Sequence, residues 1–389
     1  MPTNGREVQL KSFGKLDKAF ENFRLKRQLR YINKAFAIAQ GQGKDAGLAF
    51  LDRRQIRTPT AIKYLFEANF AKDERSWLEF LNAWGRTADL PNIQLAEGEG
   101  PLFGRLKFER SAPIASPDLV TIIIPCFNAE KDLEQAVRSI QEQTWQNIEI
   151  IAVNDNSTDG TGEVLERLAA KDERLKVLHN LVNVGPYASK NRALALAKGR
   201  FVTGHDSDDI AFPNRLELQL RSLASHPGAK ATIGYMLRMS TDGKFAPTQR
   251  RPKLTFDGFS KLCQISMMCE TKTLRGRFGA WDSVRFGADS ELIERMEAVL
   301  GDEFVRDKRV VMLCQDRAGS LTNDPETGTM GGLSPERRSY TKSYKAWHAS
   351  ARPQELKLPL LHHPRKFAAP DKMVVSEEDF FRNTAHDIR

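Results

Sequence analysis

The sequence predicts an α/β protein, with a mostly parallel sheet flanked by helices, an all-helical segment before it and a C-terminal extension after it. Three observations carry this reading. Between residues 119 and 235, short apolar runs of strand length alternate with stretches of helical period. Before residue 95 the apolar residues recur at helical spacing. Near the end the chain becomes Pro-punctuated and charged.

The elements follow in order. In residues 1–95, Leu16, Phe20 and Phe23 share one helical face, as do Trp77, Leu81 and Trp84. "TPTAIKYLF" reads as a helix start, with Thr58 as cap and Pro59 in the first turn. Residues 96–118 are rich in Gly and Pro and read as a linker. "LVTIIIP" is a buried strand, and Leu133, Ala136, Val137 and Ile140 form the face of the next helix. "IEIIAVN", "RLKVLHN" and "RFVTG" are further strands, separated by the helices "TGEVLERLAAK" and "PYASKNRALALAKG". Leu216, Leu220 and Leu223 mark another helix, and "KATIGYMLRM" another strand. Beyond residue 235 the alternation fades. "RFGADSELIERMEAVLG" is a helix with Leu292, Met296 and Val299 on one face, and "VRDKRVVMLCQ" is a strand. The polar, glycine-rich "DRAGSLTNDPETGTMGGLSPERRS" is a long loop, and "YTKSYKAWHAS" a last helix. We therefore expect the α/β domain over 119–325 and the extension over 326–389.

The 389 residues hold 59 Lys and Arg against 50 Asp and Glu, a formal charge of +9. This balance favours anionic partners without choosing among nucleic acid, phosphorylated substrates and an acidic membrane face. No helix-turn-helix, RNP or zinc-finger signature is present, so nucleic acid is not expected. The first residues lack the apolar stretch of a signal peptide, and no run reaches the ~18 apolar residues of a membrane span. A cytoplasmic protein is the expectation. Cys126, Cys263, Cys269 and Cys314 form no CxxC pair and read as reduced thiols rather than zinc ligands.

Ligands of such sheets bind beyond the carboxyl ends of the strands. There the sequence places "PCFNAEK", "DNSTDGT" and "HDSDDIAFP". Asp206, Asp208 and Asp209 crowd into four positions. Carboxylates so close raise one another's pKa unless a positive charge sits among them. They suit Mg²⁺ or Mn²⁺, which take oxygen ligands and complete their shell with water and phosphate. A turn capping the following helix is the other reading. Asp155, ending its strand, could accept from the imide N–H of uracil or the donors of guanine, or close an Asx turn. Asn128 and Glu130 stand in a loop that by itself is only a strand-turn-helix connection.

Together and in this order, "IIPCFNAE", "VNDNSTDGT", "NVGPYASKNRAL" and "HDSDDIAFP" resemble the family 2 glycosyltransferases of the Rossmann-like GT-A fold. The resemblance covers residues 119–325 and is strongest over 119–225. It implies that Asp155 contacts the nucleotide base. Pro125, Phe127, Asn128, Glu130, Ser157 and Ser207 would line the nucleotide-sugar site, and Lys190, Asn191 and Arg192 would lie near the diphosphate and donor sugar. Asp206 and Asp208 would frame the nucleotide-sugar and its Mn²⁺ or Mg²⁺, with Asp208 as direct ligand and Asp209 beside it. Asn154 departs from the family's first Asp. Inverting members carry an acidic pair opening a late helix, often Glu-Asp, with an Arg six residues on. Here Asp289 falls at the Asp, Arg295 at the Arg and Ala288 at the Glu. Asp289 is thus the implied general base, with Glu291 as alternate.

"GAWDSVRFGADSE", "RAGSLTND" and "SYKAWH" resemble a bacterial subgroup tied to surface and capsular polysaccharide. That resemblance places Trp281, Asp282, Ser320 and His348 on the acceptor side. The implied partners are a nucleoside-diphosphate sugar, UDP by family frequency, a saccharide or lipid-linked acceptor and, at the periphery, an anionic membrane. A catalytically degenerate GT-A protein serving as a basic scaffold is the alternative, kept open by Asn154 and Ala288.

Overall fold

The computed structural model describes residues 4–54, 60–248, 254–317, 319–321, 323–324, 326–329, 332–359 and 365–384. The chain divides into two compact units, one of residues 1–109 with 235–262 and one of residues 110–234 with 263–389.

The first unit holds α1 (Asn4–Gln42), α2 (Lys44–Arg53), α3 (Thr60–Ala68), α4 (Glu74–Thr87), β1 (Ile93–Leu95), α5 (Leu102–Arg105) and β2 (Leu106–Phe108). Trp77, Leu81 and Trp84 are buried along α4, as their spacing requires. Asp73 caps that helix by accepting from the Ser76 N–H at 2.7 Å. Thr58 and Pro59 lie outside the described residues. Phe23 is exposed rather than on a buried face, and the side chains of Leu16 and Phe20 are outside the described set. The linker expected from residue 96 is partly structured: β1 and β2 pair antiparallel, with Ile93 opposite Phe108. Residues 235–262 join this unit because it supplies their polar partners. Asn69 exchanges two hydrogen bonds with the Phe245 backbone at 2.6 and 3.0 Å, and the Trp77 indole donates to the Gly243 carbonyl at 2.8 Å.

The second unit is built on a sheet. Its elements begin with β3 (Val120–Cys126), α6 (Leu133–Gln141), β4 (Ile148–Asn154), α7 (Thr161–Ala169), β5 (Leu175–His179), α8 (Gly185–Leu196), β6 (Phe201–Gly204), β7 (Ile210–Ala211) and α9 (Arg215–Ser225). Next come β8 (Ala231–Ser240), which continues into the first unit, and β9 (Lys261–Leu262), which pairs with the Tyr235–Met236 part of β8 there. The rest are β10 (Met268–Glu270), α10 (Thr271–Thr273), α11 (Ala288–Leu300), β11 (Phe304–Asp316), α12 (Pro335–Ser350) and α13 (Glu377–Thr384). The strand order is β5-β4-β3-β6-β10-β8-β11-β7. β5, β4, β3 and β6 run parallel, while β10 is antiparallel to both β6 and β8 and β7 to β11, so the sheet is mixed.

β3 and β4 are buried along their whole length, which is why both read as continuous apolar runs. α6 lays Leu133, Val137 and Ile140 on this core, and α7 adds Leu165 and Leu168. Pro125 is tolerated in a central strand because β6 pairs with β3 only through Ile123 opposite Gly204. Beyond that point a missing N–H leaves no neighbour unsatisfied on the β6 side. The C-terminal extension is no loose tail. Leu358 bridges to Gly279 and Val374 to Val284, and Met373, Val375 and Phe380 are buried.

Candidate functional site

The loops after β3, β4 and β6 meet at the carboxyl ends of the parallel strands. Asn128 (φ +50°) and Asn156 (φ +59°) adopt left-handed backbone, which Asn tolerates better than most residues. Asn128 Oδ1 accepts from the Thr158 N–H at 2.9 Å, and its own N–H donates to Ser157 Oγ at 3.1 Å. Glu130 accepts from the Gly160 N–H at 3.1 Å. Asn128, Glu130 and Ser157 thus latch the β3 loop to the β4 loop. Phe127, between these latches, leaves half its surface exposed.

Asp155 is held from inside the fold. It is 2 % exposed, and both oxygens face inward. Oδ1 accepts from Asn180 Nδ2 at 2.7 Å and the Val184 N–H at 3.0 Å, and Oδ2 from the Gly185 N–H at 2.7 Å. Burial pushes its pKa up against the pull of these donors. Asp155 is the anchor of the α8 N-terminus, where a carboxylate also meets the positive end of the helix dipole.

Cationic side chains already stand at the acidic cluster. Lys190, 2 % exposed on α8, places Nζ 3.2 Å from both carboxyl oxygens of Asp289. The same ammonium lies over the Tyr187 and Trp281 rings at 4.9 and 5.7 Å. Burial pushes the pKa of Asp206 up to about 6, Lys190 opposes this, and the negative charges of Asp208 and Asp289 add to it. Arg317, just past β11, reaches Asp208 Oδ2 at 3.1 Å and Asp132 Oδ2 at 2.8 Å. Asp209 points toward β11, accepting from the Gln315 N–H at 3.0 Å. Burial, with Asp208 and Asp206 nearby, holds its pKa far above the usual range. It serves the fold more than the opening. Ser207 is partly exposed between the acids.

Asp289 opens α11 and collects three donors. Trp281 Nε1 donates to Oδ1 at 2.9 Å, Tyr187 donates to Oδ2 at 3.3 Å, and Lys190 donates to both oxygens. Eighteen per cent of its side-chain surface stays open. Segments from three parts of the chain, around 187–190, 206–208 and 281–289, therefore share one charged site.

Several expectations are corrected. Glu291 cannot act as an alternate base: it is fully buried, paired with Arg295 at 2.8 Å and with His348 Nε2 at 2.9 Å. His348, so engaged, is not on an open acceptor face. Asp282 is fully buried and accepts from Tyr340 Oη at 2.8 Å and from Arg365, so it cannot touch an acceptor. Trp281 is 3 % exposed; its indole serves Asp289 rather than a sugar ring. Asn191 exchanges two hydrogen bonds with the Trp281 backbone at 2.8 and 3.0 Å, and Arg192 holds the His179 carbonyl at 2.7 Å. Of that triplet only Lys190 faces the acids. Ser320 accepts from the Asn323 N–H within its own loop.

Sequence reasoning missed Arg317, Tyr187, Tyr340 and Arg365. Nothing local marks them, because each meets its partner across a separation that only the fold closes.

Among the described residues, no three His, Cys, Asp or Glu side chains gather as a metal-binding group. Asp206 and Asp208 form a pair, and one or two carboxylates are what Mg²⁺ commonly takes from protein. Burial first, and after it the negative charges of Asp208 and Asp289, raise the pKa of Asp206, and a divalent cation relieves that condition. The donor set fits Mg²⁺ or Mn²⁺.

Residues 121–283 match the model of the glycosyl transferase family 2. That matched stretch, under half of the chain, is thus similar to the family 2 glycosyltransferases, and it lies in the helix-flanked sheet that the resemblance implies. Glycosyltransferase GlyG of Streptococcus pneumoniae is 38 % identical over 129 residues, which cover 33 % of this chain and 42 % of that protein. A putative teichuronic acid biosynthesis glycosyltransferase, TuaG of Bacillus subtilis, is 38 % identical over 125 residues, covering 32 % and 49 %. The Escherichia coli UDP-Glc:alpha-D-GlcNAc-diphosphoundecaprenol beta-1,3-glucosyltransferase WfgD is 35 % identical over 153 residues, covering 39 % and 58 %. The matches therefore span 42 to 58 % of the length of these relatives. The crystal structure of S. aureus TarS 1-349 in complex with UDP-GlcNAc superposes with a TM-score of 0.42 at 22 % identity, covering 52 % of this chain and 59 % of that one.

Proposed function

We propose that this chain is a metal-dependent inverting glycosyltransferase. It would transfer a sugar from a nucleoside-diphosphate sugar, a UDP-sugar, to a saccharide or lipid-linked acceptor of bacterial surface polysaccharide. One observation carries the reading. Lys190 joins Asp289 of the late helix to the neighbourhood of Asp206 at the carboxyl ends of the parallel strands. That is the meeting of donor-side acids and a base that sugar transfer needs.

In this reading the exposed Phe127 ring stacks on the base, and the latched loops of Asn128, Glu130 and Ser157 form the wall behind it. Asp206 and Asp208 would hold Mn²⁺ or Mg²⁺, and Arg317 would have to release Asp208 for it. When bound, that cation offsets charge on the departing diphosphate. Asp289 takes the proton from the acceptor hydroxyl as the hydroxyl attacks the anomeric carbon. Trp281, Tyr187 and Lys190 keep its carboxylate aimed.

The UDP donor and a lipid-linked acceptor are supported by the name of the E. coli relative, which specifies both for that protein. No helix among the described residues is long and apolar enough to cross a membrane. α1 exposes Arg24, Lys26, Arg27, Arg30 and Lys34. Such a face suits a cytoplasmic enzyme resting on an anionic membrane, where lipid-linked acceptors lie. Co-sedimentation with anionic vesicles at low salt checks that part.

The site itself is tested by thermal shift with UDP-, GDP-, dTDP- and CMP-sugars, with and without Mn²⁺, beside Asp208→Ala. Metal-dependent stabilisation by one nucleotide, lost in the variant, supports the reading. No shift with any of them moves the weight to a non-catalytic scaffold.

A further inference from the structure

We infer that Asp282 is a positioning residue for Asp289, and that the C-terminal chain acts on the site through it. The inference rests on the reading of Asp289 as base. Trp281 and Asp282 are neighbours that face opposite ways. The Trp281 indole donates to Asp289, while the Asp282 carboxylate, fully buried, receives Tyr340 of α12 and the Arg365 guanidinium.

The backbone around this pair is clamped by the same C-terminal chain. Gly279 has φ +80°, and a Cβ there would sit 1.6 Å from the Leu358 carbonyl oxygen, so the two backbones touch. The Leu358 N–H donates to the Phe278 carbonyl at 2.9 Å, and the Arg285 N–H donates to the Met373 carbonyl at 2.7 Å. Arg295 ties down the carbonyls of Phe278 and Ala280 at 2.7 and 2.8 Å. Arg295 is itself paired with Glu291, which His348 of α12 holds.

A buried carboxylate with its donors is a costly way to secure a loop, since apolar packing of equal volume commonly does as well or better. What such a group adds is direction. Here the direction is that of the indole N–H toward Asp289. Tyr340 and Arg365 would then set the orientation of the base without touching substrate.

The test uses the full chain labelled with ¹⁵N at its indole nitrogens. Trp281→Phe identifies the Trp281 N–H resonance among the five tryptophans. Asp289→Asn should move that resonance. Tyr340→Phe and Arg365→Gln should move it as well, while Arg365→Lys restores part of the wild-type position. UDP release from UDP-glucose with Mn²⁺ is then followed in the same proteins. The expected pattern is kcat reduced ~10-fold or more in Tyr340→Phe and Arg365→Gln, with the donor KM within about twofold. A Trp281 resonance unmoved in both folded variants overturns the inference, as does a kcat unchanged in both. If the wild type releases no UDP, the enzyme reading fails on that arm. The indole resonance then decides alone, a shift supporting the positioning relation and no shift refuting it.

Discussion

Arg317 NH2 stands 3.1 Å from Asp208 Oδ2, and the other end of the same guanidinium stands 2.8 Å from Asp132. The acid proposed to hold a cation is already paired with one. A partly exposed ion pair of this kind contributes roughly 0.2–1 kcal/mol. Arg317→Ala should therefore bind Mn²⁺ alone about 1.4- to fivefold more tightly, measured by calorimetry. Weaker binding in the variant would place Arg317 outside any competition with the metal.

Asp155 anchors α8 with both oxygens. Asp155→Ala strands the N–H groups of Val184 and Gly185 and the Asn180 amide, all buried. We expect a loss of about 1.5–3 kcal/mol in urea unfolding. Were Asp155 chiefly a reader of the nucleotide base, stability would hold and only nucleotide affinity would fall.

This contrast marks how far the sequence could be read. The alternation from 119 to 235 gave the parallel strands, because β3 and β4 are buried on both faces and leave a continuous apolar run. The strand-end acids marked the place of the proposed site. The division of labour within it was not legible. Asp155, Asp282 and Glu291 stand in motif-like or late-helix positions, yet each faces inward to partners 25 or more residues away (Asn180, Tyr340 and His348). Residues 235–262 escaped because their partners, Asn69 and Trp77, precede them by more than 160 residues.

Asp289 and Glu291 are two residues apart and should fail in opposite ways. Glu291→Ala leaves the Arg295 guanidinium buried without its carboxylate and should cost about 3–5 kcal/mol of stability. Asp289→Asn keeps an oxygen acceptor for Lys190, so it should cost less stability than Glu291→Ala while lowering turnover by ~10²–10⁴. Denaturation and UDP-release assays on the two variants check the pattern.

Glu149 on β4 is buried and accepts from Lys176 at 2.6 Å, Thr121 at 2.7 Å and the Lys198 N–H at 2.8 Å. Burial pushes its pKa up, but these donors outweigh it and hold the carboxyl below its usual value. A depressed folded pKa contributes stability that is present above the unfolded value and lost as pH falls through the folded one. Glu149→Gln should thus cost about 0.5–1 kcal/mol at pH 7 after solvent screening. That difference should shrink once the pH drops below the ordinary carboxylate range. Urea midpoints at pH 7 and pH 3 read it directly.

The central claim is a donor site in which Asp208 serves the metal and Asp289 serves the acceptor. Calorimetric titration of UDP into the wild type, Asp208→Ala and Asp289→Asn, with and without Mn²⁺, separates the two roles. The account predicts Mn²⁺-dependent binding that Asp208→Ala loses and Asp289→Asn keeps. Equal binding by Asp208→Ala and wild type, or none by any of the three, would contradict it.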